Sequence, residues 1–237
     1  MNILITGSNG QLGQELQNRH TRIQQANHSF FFTDKEDLDI TDKQAIESFT
    51  GSHAIDIIIN CAAYTDVDGA ESDQANAFML NDRAVGNLAE VASEQSMQLI
   101  HISTDYVFNG LNHKPYVETD ATSPQGVYGK SKLAGEQKIL SLKTGMIIRT
   151  AWLYSPYGKN FVNTISRLAW EKNELKVVYD QVGNPTHAGD LADALLKIVA
   201  TTGKNTQLEG IYHFANEGVC SWYDFALEIA RLQDASC

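Results

Sequence analysis

The chain has 237 residues, of which 43% are hydrophobic and 20% are charged, a composition typical of a globular domain and not of a disordered segment. Its 18 basic and 29 acidic residues give a formal net charge of −11, so the surface as a whole repels nucleic acid and anionic membranes. Nucleic-acid-binding and membrane-binding functions are therefore excluded as first interpretations, and no apolar run reaches the length of a membrane span.

The first residues and the cysteines indicate a cytoplasmic protein. Met1–Thr6 lacks the basic region and the cleavable apolar region of a secretion signal, and predicts a strand that starts at once. Cys61, Cys220 and Cys237 lie far apart and lack the spacing of metal ligands. We therefore expect reduced thiols, no metal site, and no nucleic-acid or membrane partner.

Over residues 1–150, short apolar runs alternate with longer amphipathic segments, which is the order of βαβ units in a parallel sheet. Each run is almost continuously apolar, as in strands that helices cover on both faces. The predicted strands are Asn2–Thr6, Ser29–Thr33, Asp56–Asn60, Gln98–Ser103 and Met146–Arg149, and the predicted helices lie around Gln11–His20, Asp42–Thr50, Ser72–Ser96 and Pro124–Leu142. The fold class is therefore α/β, with a Rossmann-type doubly wound parallel sheet that forms an NAD(P)-binding domain over residues 1–150.

Residues 151–237 show a weaker pattern. The predicted elements are helices near Asn160–Lys172, Ala188–Ala200 and Ser221–Leu232 and strands near Lys176–Tyr179 and Ile211–Phe214. No linker or repeat separates this segment from the first. We expect it to fold back, complete the sheet and form part of a small C-terminal substrate lobe.

A glycine-rich turn follows the first predicted strand. Thr6–Gly13 carries its glycines in the spacing G-x-x-G-x-x-G, between a strand and a helix. The first glycine permits a tight turn, the helix N-terminus offers backbone N–H groups to a pyrophosphate, and the third glycine lets the helix pack on the sheet. This pattern predicts a dinucleotide site formed by Gly7, Asn9, Gly10, Gln11, Leu12 and Gly13.

Later segments are also predicted to contact the cofactor. Asp34 ends the second strand, about 20 residues after the third glycine, where an acidic group commonly binds the adenosine ribose; a solvated turn is the alternative. The acidic residues around Lys35 disfavour a 2′-phosphate and so favour NADH, and Asp39 and Ile40 would flank the adenine. Small residues where strands end leave room for a ligand, although close helix packing would use them too. The residues predicted to form the floor under the cofactor are Cys61, Ala62, Ala63, Tyr64 and Thr65, which follow the third strand, and Ser103 at the end of the fourth strand.

Tyr128 and Lys132 form the candidate catalytic pair. Four residues apart on a predicted helix, they project from one face. The phenol can donate a proton to a carbonyl oxygen during hydride transfer, and a lysine cation would lower the pKa of that phenol and hold the nicotinamide ribose. Thr104 would hydrogen-bond the same oxygen. An exposed amphipathic helix is the alternative, and it is the preferred interpretation for Lys130.

Several segments are specific enough to indicate a family. The chain resembles the dTDP-4-dehydrorhamnose reductases, of the extended short-chain dehydrogenase/reductase superfamily, in Ile3–Gly13, Asn60–Asp68, Ser103–Phe108 and Tyr128–Glu136. Arg149–Tyr154 and Asp180–Thr186 resemble the substrate-side loops of that family. The resemblance extends from Met1 to about Leu232.

This resemblance implies reduction of the 4-keto group of dTDP-4-dehydro-β-L-rhamnose to dTDP-β-L-rhamnose, in dTDP-rhamnose biosynthesis, with NADPH or NADH as hydride donor. It implies Thr104, Tyr128 and Lys132 as the catalytic residues. The residues that it places against the dTDP-sugar are Val67, Thr104, Asp105, Tyr106 and Trp152. The family often forms homodimers, and some members bind Mg²⁺, for which no ligands can be assigned from this sequence.

Some of these assignments have structural alternatives. Trp152 also fits a core aromatic at the end of a strand, and Tyr106 also fits a side chain that packs under Phe108. Gln181–Thr186 also fits an ordinary turn. Family members continue for several dozen residues beyond a segment like Trp222–Leu232, with a basic, proline-containing stretch that helps to close the substrate lobe. The expectation is thus a complete cofactor half and a substrate lobe whose completeness stays open.

Three other functions were weighed against the reductase. A sugar-nucleotide 4,6-dehydratase is disfavoured, because Tyr106 follows Thr104-Asp105 where that enzyme needs a second carboxylate. An epimerase can use the same threonine, tyrosine and lysine with tightly held NAD. A non-catalytic, dinucleotide-binding regulatory subunit would keep the fold without the reaction. The last two remain alternatives.

Overall fold

A computed structural model describes residues 1–22, 28–203 and 206–234. Over residues 1–150 it places every predicted strand within one residue of its expected bounds. The strands and helices of this part are β1 (Asn2–Thr6), α1 (Gln11–Arg19), β2 (Ser29–Thr33), α2 (Lys43–Ser52), β3 (Ile57–Asn60), α3 (Gly69–Ser72), α4 (Gln74–Phe78), α5 (Ala84–Glu94), β4 (Gln98–Thr104), α6 (Val127–Leu142) and β5 (Gly145–Thr150).

The second part of the chain consists of longer helices and very short strands. Its elements are β6 (Leu153–Tyr154), α7 (Phe161–Glu171), β7 (Val182–Gly183), β8 (Thr186–His187), α8 (Ala188–Thr201), β9 (Gly210–His213), β10 (Cys220–Ser221) and α9 (Trp222–Leu232). The three helices that the periodicity predicts here are confirmed. Four of the strands here have only two residues, too short to leave an alternating pattern in the sequence.

A parallel sheet organises the described chain, with the strand order β2-β1-β3-β4-β5-β9. Thr6 is paired with Asn60, and Thr104 with Thr150, so neighbouring strands end at the same edge. The strand order reverses at β1, and in such doubly wound sheets ligands bind outside the carboxyl ends at the point of reversal. The predicted Rossmann-like α/β class is confirmed.

Alternate residues of the central strands enter two hydrophobic cores, one on each face of the sheet. Ile3 and Ile5 of β1 pack with α1 and α8, whereas Leu4 lies in the core that α2, α5 and α6 cover. All three side chains have no exposed surface. Burying a side chain of this size contributes about 1.5–3 kcal/mol, so these layers hold the strand ends in fixed positions.

The helix predicted around Ser72–Ser96 is confirmed from Gln74 to Glu94, although it contains a π-helical turn that was not predicted. Asp73, with φ −126° and ψ 48°, interrupts the path between α3 and α4, and Met79–Arg83 form a π-helical turn before α5. The wide turn carries Asn81, whose Nδ2 donates to Tyr64 O at 3.0 Å. Periodicity alone could not show this π-helical turn, because the hydrogen-bond partner of Asn81 comes from the loop after β3.

The strand predicted near Lys176–Tyr179 is also wrong. Val177 packs against the small core of α7 and α9, and Val178 O accepts a hydrogen bond from Tyr223 N at 3.0 Å. Side-chain packing and this backbone hydrogen bond therefore anchor the segment, which forms no strand. The strand predicted near Ile211–Phe214 is confirmed as β9, one residue earlier, beside β5.

None of the helices in the described ranges is both long and apolar enough to cross a bilayer. Cys61 and Cys220 are free thiols, as expected. Cys237, for which the same state was predicted, lies outside the described residues.

Candidate active site

A cleft of about 1230 Å³ opens along the carboxyl ends of β1, β3, β4 and β5. Its volume is sufficient for a large ligand. Nearly all the residues predicted for cofactor and substrate line it, namely Gly7, Gly10, Gln11, Leu12, Gly13, Asp34, Asp39, Ile40, Cys61, Ala62, Ala63, Tyr64, Thr65, Val67, Ser103, Thr104, Asp105, Tyr106, Tyr128, Lys132 and Trp152. The separate segments singled out in the sequence thus meet at one edge of the sheet.

The glycine turn is packed too tightly for side chains at two of its three glycines. Gly7 has φ +67°, and a Cβ there would lie 2.6 Å from Ala62 N. A Cβ on Gly13 would collide with Gly7 O, whereas one on Gly10 would meet only that oxygen, at 3.3 Å. The first and third glycines are therefore required by the turn and the helix packing, and the second borders the cleft.

Asn9 is the predicted cofactor residue that does not line the cleft. Its backbone N–H donates instead to Asp34 Oδ2 at 2.9 Å. The other oxygen of Asp34 accepts from Lys35 N at 2.8 Å. The Asp34 carboxylate thus connects the glycine turn to the end of β2 while facing the cleft.

Asp39 and Ile40 form the adjacent wall. Asp39 Oδ1 accepts hydrogen bonds from Thr41 N at 2.9 Å and from Thr41 Oγ1 at 2.7 Å, and these bonds lower the pKa of Asp39. Ile40 is buried in the core beneath. The two residues therefore present a fixed, partly apolar surface.

The small residues after β3 form the floor, and two asparagines hold their backbone. Asn60 Oδ1 accepts from Ala62 N at 3.1 Å, and Asn81 Oδ1 accepts from Tyr64 N at 2.9 Å. Burial raises the pKa of the Cys61 thiol to about 12, despite the opposing effect of Lys132. Cys61 is therefore a neutral, packed side chain in this floor.

Tyr128 lies on the first turn of α6, and its hydroxyl faces the cleft beside Thr104. Burial raises the pKa of Tyr128 to about 12, and a hydrogen bond with Thr104 opposes this shift only in part. A net lowering by Lys132 was expected, and it is not found. The phenol is thus protonated at neutral pH and available as a proton donor.

Lys132 is buried, with 2% of its surface exposed. Its Nζ donates to Ile102 O at 2.6 Å. Burial lowers the pKa of Lys132 to about 8, against the opposing effects of Glu136 and Cys61. The exposed amphipathic helix weighed as an alternative does not describe this residue, because its amine lies inside the protein at the end of β4.

Asp105 and Tyr106 follow β4 in a single 3₁₀ turn, Asp105–Val107. Thr104 Oγ1 donates to Asp105 Oδ1 at 3.1 Å, yet burial raises the pKa of Asp105 to about 6. Tyr106 meets Tyr128 edge-on, with ring centroids 5.5 Å apart. Phe108 stacks on Tyr116 instead, so Tyr106 stands at the cleft and does not pack under Phe108.

Trp152 reaches the cleft from the second part of the chain. Its φ is +47°, and its ring stacks on Trp222 with centroids 3.4 Å apart and planes 8° apart. A Cβ on Gly183 would lie 2.6 Å from Trp152 Cε2, so β7 lies against the same ring. Trp152 is half-buried between these neighbours, which combines features of both predicted environments.

Some lining residues were missed in the sequence. Trp222 and the segment Gly158–Phe161 reach the cleft, and Gln11 Oε1 accepts from Asn160 Nδ2 at 3.0 Å. The helix predicted near Asn160–Lys172 already located the start of α7, which Asn160 caps by accepting from Asn163 N at 2.9 Å. Nothing local could have placed it beside the glycine turn.

The residues at this edge fit a dinucleotide. The hydroxyls of Ser103 and Thr150 line the cleft, are buried, and have no hydrogen-bond partner among the described residues, which suits a polar group such as a carboxamide. The tight glycine turn suits a pyrophosphate. Among the described residues, no group of three or more His, Cys, Asp or Glu side chains could hold a metal ion, so the structure assigns no ligands to the Mg²⁺ that the resemblance implied.

Comparisons with known proteins agree with this geometry. The family model described as the RmlD substrate binding domain matches residues 1–236. The dTDP-4-dehydrorhamnose reductase of Aggregatibacter actinomycetemcomitans is 43% identical over 230 residues, which are 96% of this chain and 77% of that protein. These matches confirm the resemblance found in the motifs.

Two solved structures are similar over the whole fold. A dTDP-4-dehydrorhamnose reductase from Clostridium acetobutylicum has a TM-score of 0.91 and 44% identity, covering 100% of this chain and 81% of its own. One from Bacillus anthracis, in complex with NADP, has a TM-score of 0.89 and 39% identity, covering 99% and 81%. The fold described above is thus shared with these two reductases, one of which was solved with NADP.

Proposed function

The chain belongs to the RmlD family of dTDP-4-dehydrorhamnose reductases, and on that basis we propose that it reduces the 4-keto group of dTDP-4-dehydro-β-L-rhamnose to give dTDP-β-L-rhamnose, with NADH or NADPH. The observation that carries this proposal is the meeting of Thr104, Tyr128 and Lys132 at the sheet edge, next to the glycine turn. Free thiols at Cys61 and Cys220 support the cytoplasm as its compartment.

A bound reduced nicotinamide supplies the hydride. Tyr128 donates its phenolic proton to the keto oxygen as that oxygen becomes a hydroxyl, and Thr104 orients the oxygen by a hydrogen bond. The resulting phenolate has a pKa of about 12, so it regains a proton readily. Lys132, with a pKa of about 8, keeps a proton available at the carboxyl edge of the sheet for this reprotonation. Asp105, Val67, Tyr106 and Trp152 are proposed to contact the sugar nucleotide.

The residues near the adenosine position favour NADH. Both oxygens of Asp34 accept backbone hydrogen bonds, so its charge is held at the cleft wall, where it accepts a ribose hydroxyl and repels a 2′-phosphate. Lys35 also lines the cleft and gives a 2′-phosphate some compensation. We expect kcat/KM to be higher with NADH than with NADPH; the opposite order would overturn this preference while leaving the reductase intact.

The test is direct. The purified 237-residue chain is mixed with dTDP-4-dehydrorhamnose, and the loss of reduced-nicotinamide absorbance is followed with each cofactor. Tyr128→Phe should lower kcat by about 1000-fold while leaving cofactor binding intact. Tyr116→Phe is the matched control, since that hydroxyl bonds Asn109 Oδ1 at 2.8 Å outside the cleft, and it should keep full activity.

The outcomes separate the reductase from its alternatives. Turnover that depends on Tyr128 supports the proposal. Release of oxidised cofactor from the purified protein, with isomerisation of a sugar nucleotide, would replace it with an epimerase. Cofactor binding without turnover of any dTDP-4-keto sugar would replace it with a binding subunit. The homodimer implied by the family stays a prediction, to be checked by light scattering.

A further inference from the structure

A chain of buried polar groups runs behind the cleft, from β1 through β3 and β4 to α6. Thr6 Oγ1 donates to Asn60 Oδ1 at 2.7 Å, and Asn60 Nδ2 lies 3.0 Å from His101 Nδ1. His101 Nε2 in turn lies 3.4 Å from Lys132 Nζ. Thr6 and Asn60 are each 1% exposed and His101 is 0% exposed, so these groups bond to one another and not to bulk water.

The hydrogen bonds of Asn60 determine the orientation of its amide. Ala62 N lies 3.1 Å from Asn60 Oδ1, and a backbone N–H can only donate. The oxygen of Asn60 therefore faces Ala62 and Thr6, and the NH₂ group faces His101. Because an amide NH₂ only donates, Nδ1 of His101 must accept, and it carries no proton.

The second nitrogen of His101 then carries the proton. Burial, followed by the nearby Lys132, lowers the pKa of His101 well below its usual value, so the ring is neutral at physiological pH. A neutral imidazole with an unprotonated Nδ1 is protonated at Nε2. An N–H group thus points from His101 towards the amine of Lys132.

Two donors facing each other are unfavourable, whereas a donor facing a lone pair is favourable. An ammonium at Lys132 has no lone pair for the Nε2–H group, but a neutral amine can accept from His101 while it donates to Ile102 O at 2.6 Å. The other titratable groups around the Lys132 amine have the opposite effect to His101 on its protonation. Glu136 and Cys61 favour the cation, and Glu136 is itself paired with Arg149 of β5.

We propose that His101 is a positioning residue, held in its Nε2–H form by Asn60, which favours the neutral amine of Lys132 and so makes this lysine a ready proton donor and acceptor one turn of α6 from Tyr128. Its effect on catalysis rests on the proposed reductase function. The proton position on His101 and the protonation of Lys132 do not depend on that function, because both exist in the protein without substrate.

The first experiment reads the proton position on His101. In protein labelled with ¹⁵N-histidine, two-bond N–H correlations distinguish the two neutral forms. We expect the Nε2–H form of His101 in the wild type from about pH 6 to 9. In Asn60→Asp, a carboxylate accepts from Nδ1 and should convert the ring to the Nδ1–H form. A wild-type ring that is protonated at Nδ1, or at both nitrogens, would overturn the proposal.

The second experiment titrates Lys132 through the ¹³C shift of its Cε. His101→Asn retains an oxygen that can accept from Asn60 and removes the N–H group that faces Lys132. The midpoint should rise by about one pH unit, and the alkaline limb of kcat/KM should move upward with it. His113→Asn, a change at an exposed histidine, is the matched control and should leave both unchanged.

Two of these measurements can contradict the proposal independently of the reductase assay. If folded His101→Asn titrates Lys132 at the wild-type midpoint, the proposal fails, whatever the enzyme turns over. If His101→Asn does not fold, the ¹⁵N spectra of the wild type and of Asn60→Asp still test the proton position on His101 on which the proposal depends. Loss of the reductase function with the expected midpoint shift would refute only the proposed reaction.

Discussion

Two regions meet at the cleft and hold their residues by different means. The sheet half comprises the six-stranded sheet and its covering helices, and the C-terminal lobe comprises α7, α9 and the two-residue strands. In the sheet half, Thr104 and Lys132 are fixed by the parallel ladder and by buried hydrogen bonds. In the lobe, Trp152 is held mainly by stacking on Trp222. The positions proposed to take part in proton transfer thus lie on the sheet half.

This contrast extends to the charged groups. Arg149 binds Glu136 through two hydrogen bonds, at 2.9 and 2.6 Å, with 4% and 0% of their side chains exposed. In the lobe, Arg231 binds Glu228 in the same two-bond manner, but both side chains are more than half exposed. The same chemistry should therefore contribute very differently to stability in the two regions.

The largest expected effect is at the buried pair. Glu136→Gln leaves a buried guanidinium without its counter-charge, and no described residue bonds Arg149 Nη1. The free energy of unfolding should fall by about 3 kcal/mol, measured by urea denaturation. Glu228→Gln is the matched change in the lobe and should have no measurable effect. Equal losses would remove the distinction between the two regions.

Asp105 provides a pH-dependent test of the sheet half. Its pKa is raised from 3.8 to about 6 in the fold, chiefly by burial, so its contribution to stability is complete below the lower value and is lost as pH rises through the upper one. Asp105→Asn removes this charge. The variant should be more stable than wild type by about 1–2 kcal/mol at pH 8, and the difference should disappear near pH 4.

In the lobe, removing the charge of Asp224 should change the free energy of unfolding in the opposite direction. The pKa of Asp224 is lowered by hydrogen bonds from Ser221, so Asp224→Asn should destabilise the protein at neutral pH instead of stabilising it. Urea denaturation across the pH range checks both signs. A stability difference for Asp105→Asn that does not change with pH would mean that its charge is not the cause.

The stacked tryptophans test whether the lobe affects binding more than chemistry. Trp222→Leu removes the ring that supports Trp152 and should raise KM for the dTDP-sugar about fivefold with kcat nearly unchanged, because stacked aromatic pairs contribute about 0.5–1.5 kcal/mol. Trp170→Leu, at a ring that is 66% exposed, is the control. A fall in kcat at constant KM would instead assign the lobe a part in the chemical step.

The smallest effect concerns the start of α9. Ser221 Oγ accepts from Asp224 N at 3.0 Å, and Asp224 Oδ2 accepts from Ser221 N at 3.0 Å, which completes a capping box. Ser221→Ala should lower the free energy of unfolding by about 1 kcal/mol, and Ser221→Gly by only a few tenths. Thermal unfolding followed by circular dichroism compares them; the same loss in both would argue against capping.

Local signals in the sequence determined most of the sheet half. The β1–turn–α1 order, the continuous apolar strands and the spacing of Tyr128 and Lys132 depend on interactions within a few residues, and such interactions are legible in one chain. The cleft residues followed, because parallel strands end at a shared edge. Similar signals located the long helices of residues 151–237, since an amphipathic face repeats every turn.

Only the tertiary structure decided the features of the fold and site that these local signals did not predict. The π-helical turn before α5 carries the hydrogen bond from Asn81 to Tyr64, and the segment Lys176–Tyr179, predicted as a strand, bonds instead to α9. The protonation of Lys132 depends on β3 and β4 placing Asn60 and His101 behind it. Each of these depends on contacts between residues far apart in the chain, where no local propensity specifies the partner and packing and burial determine the outcome.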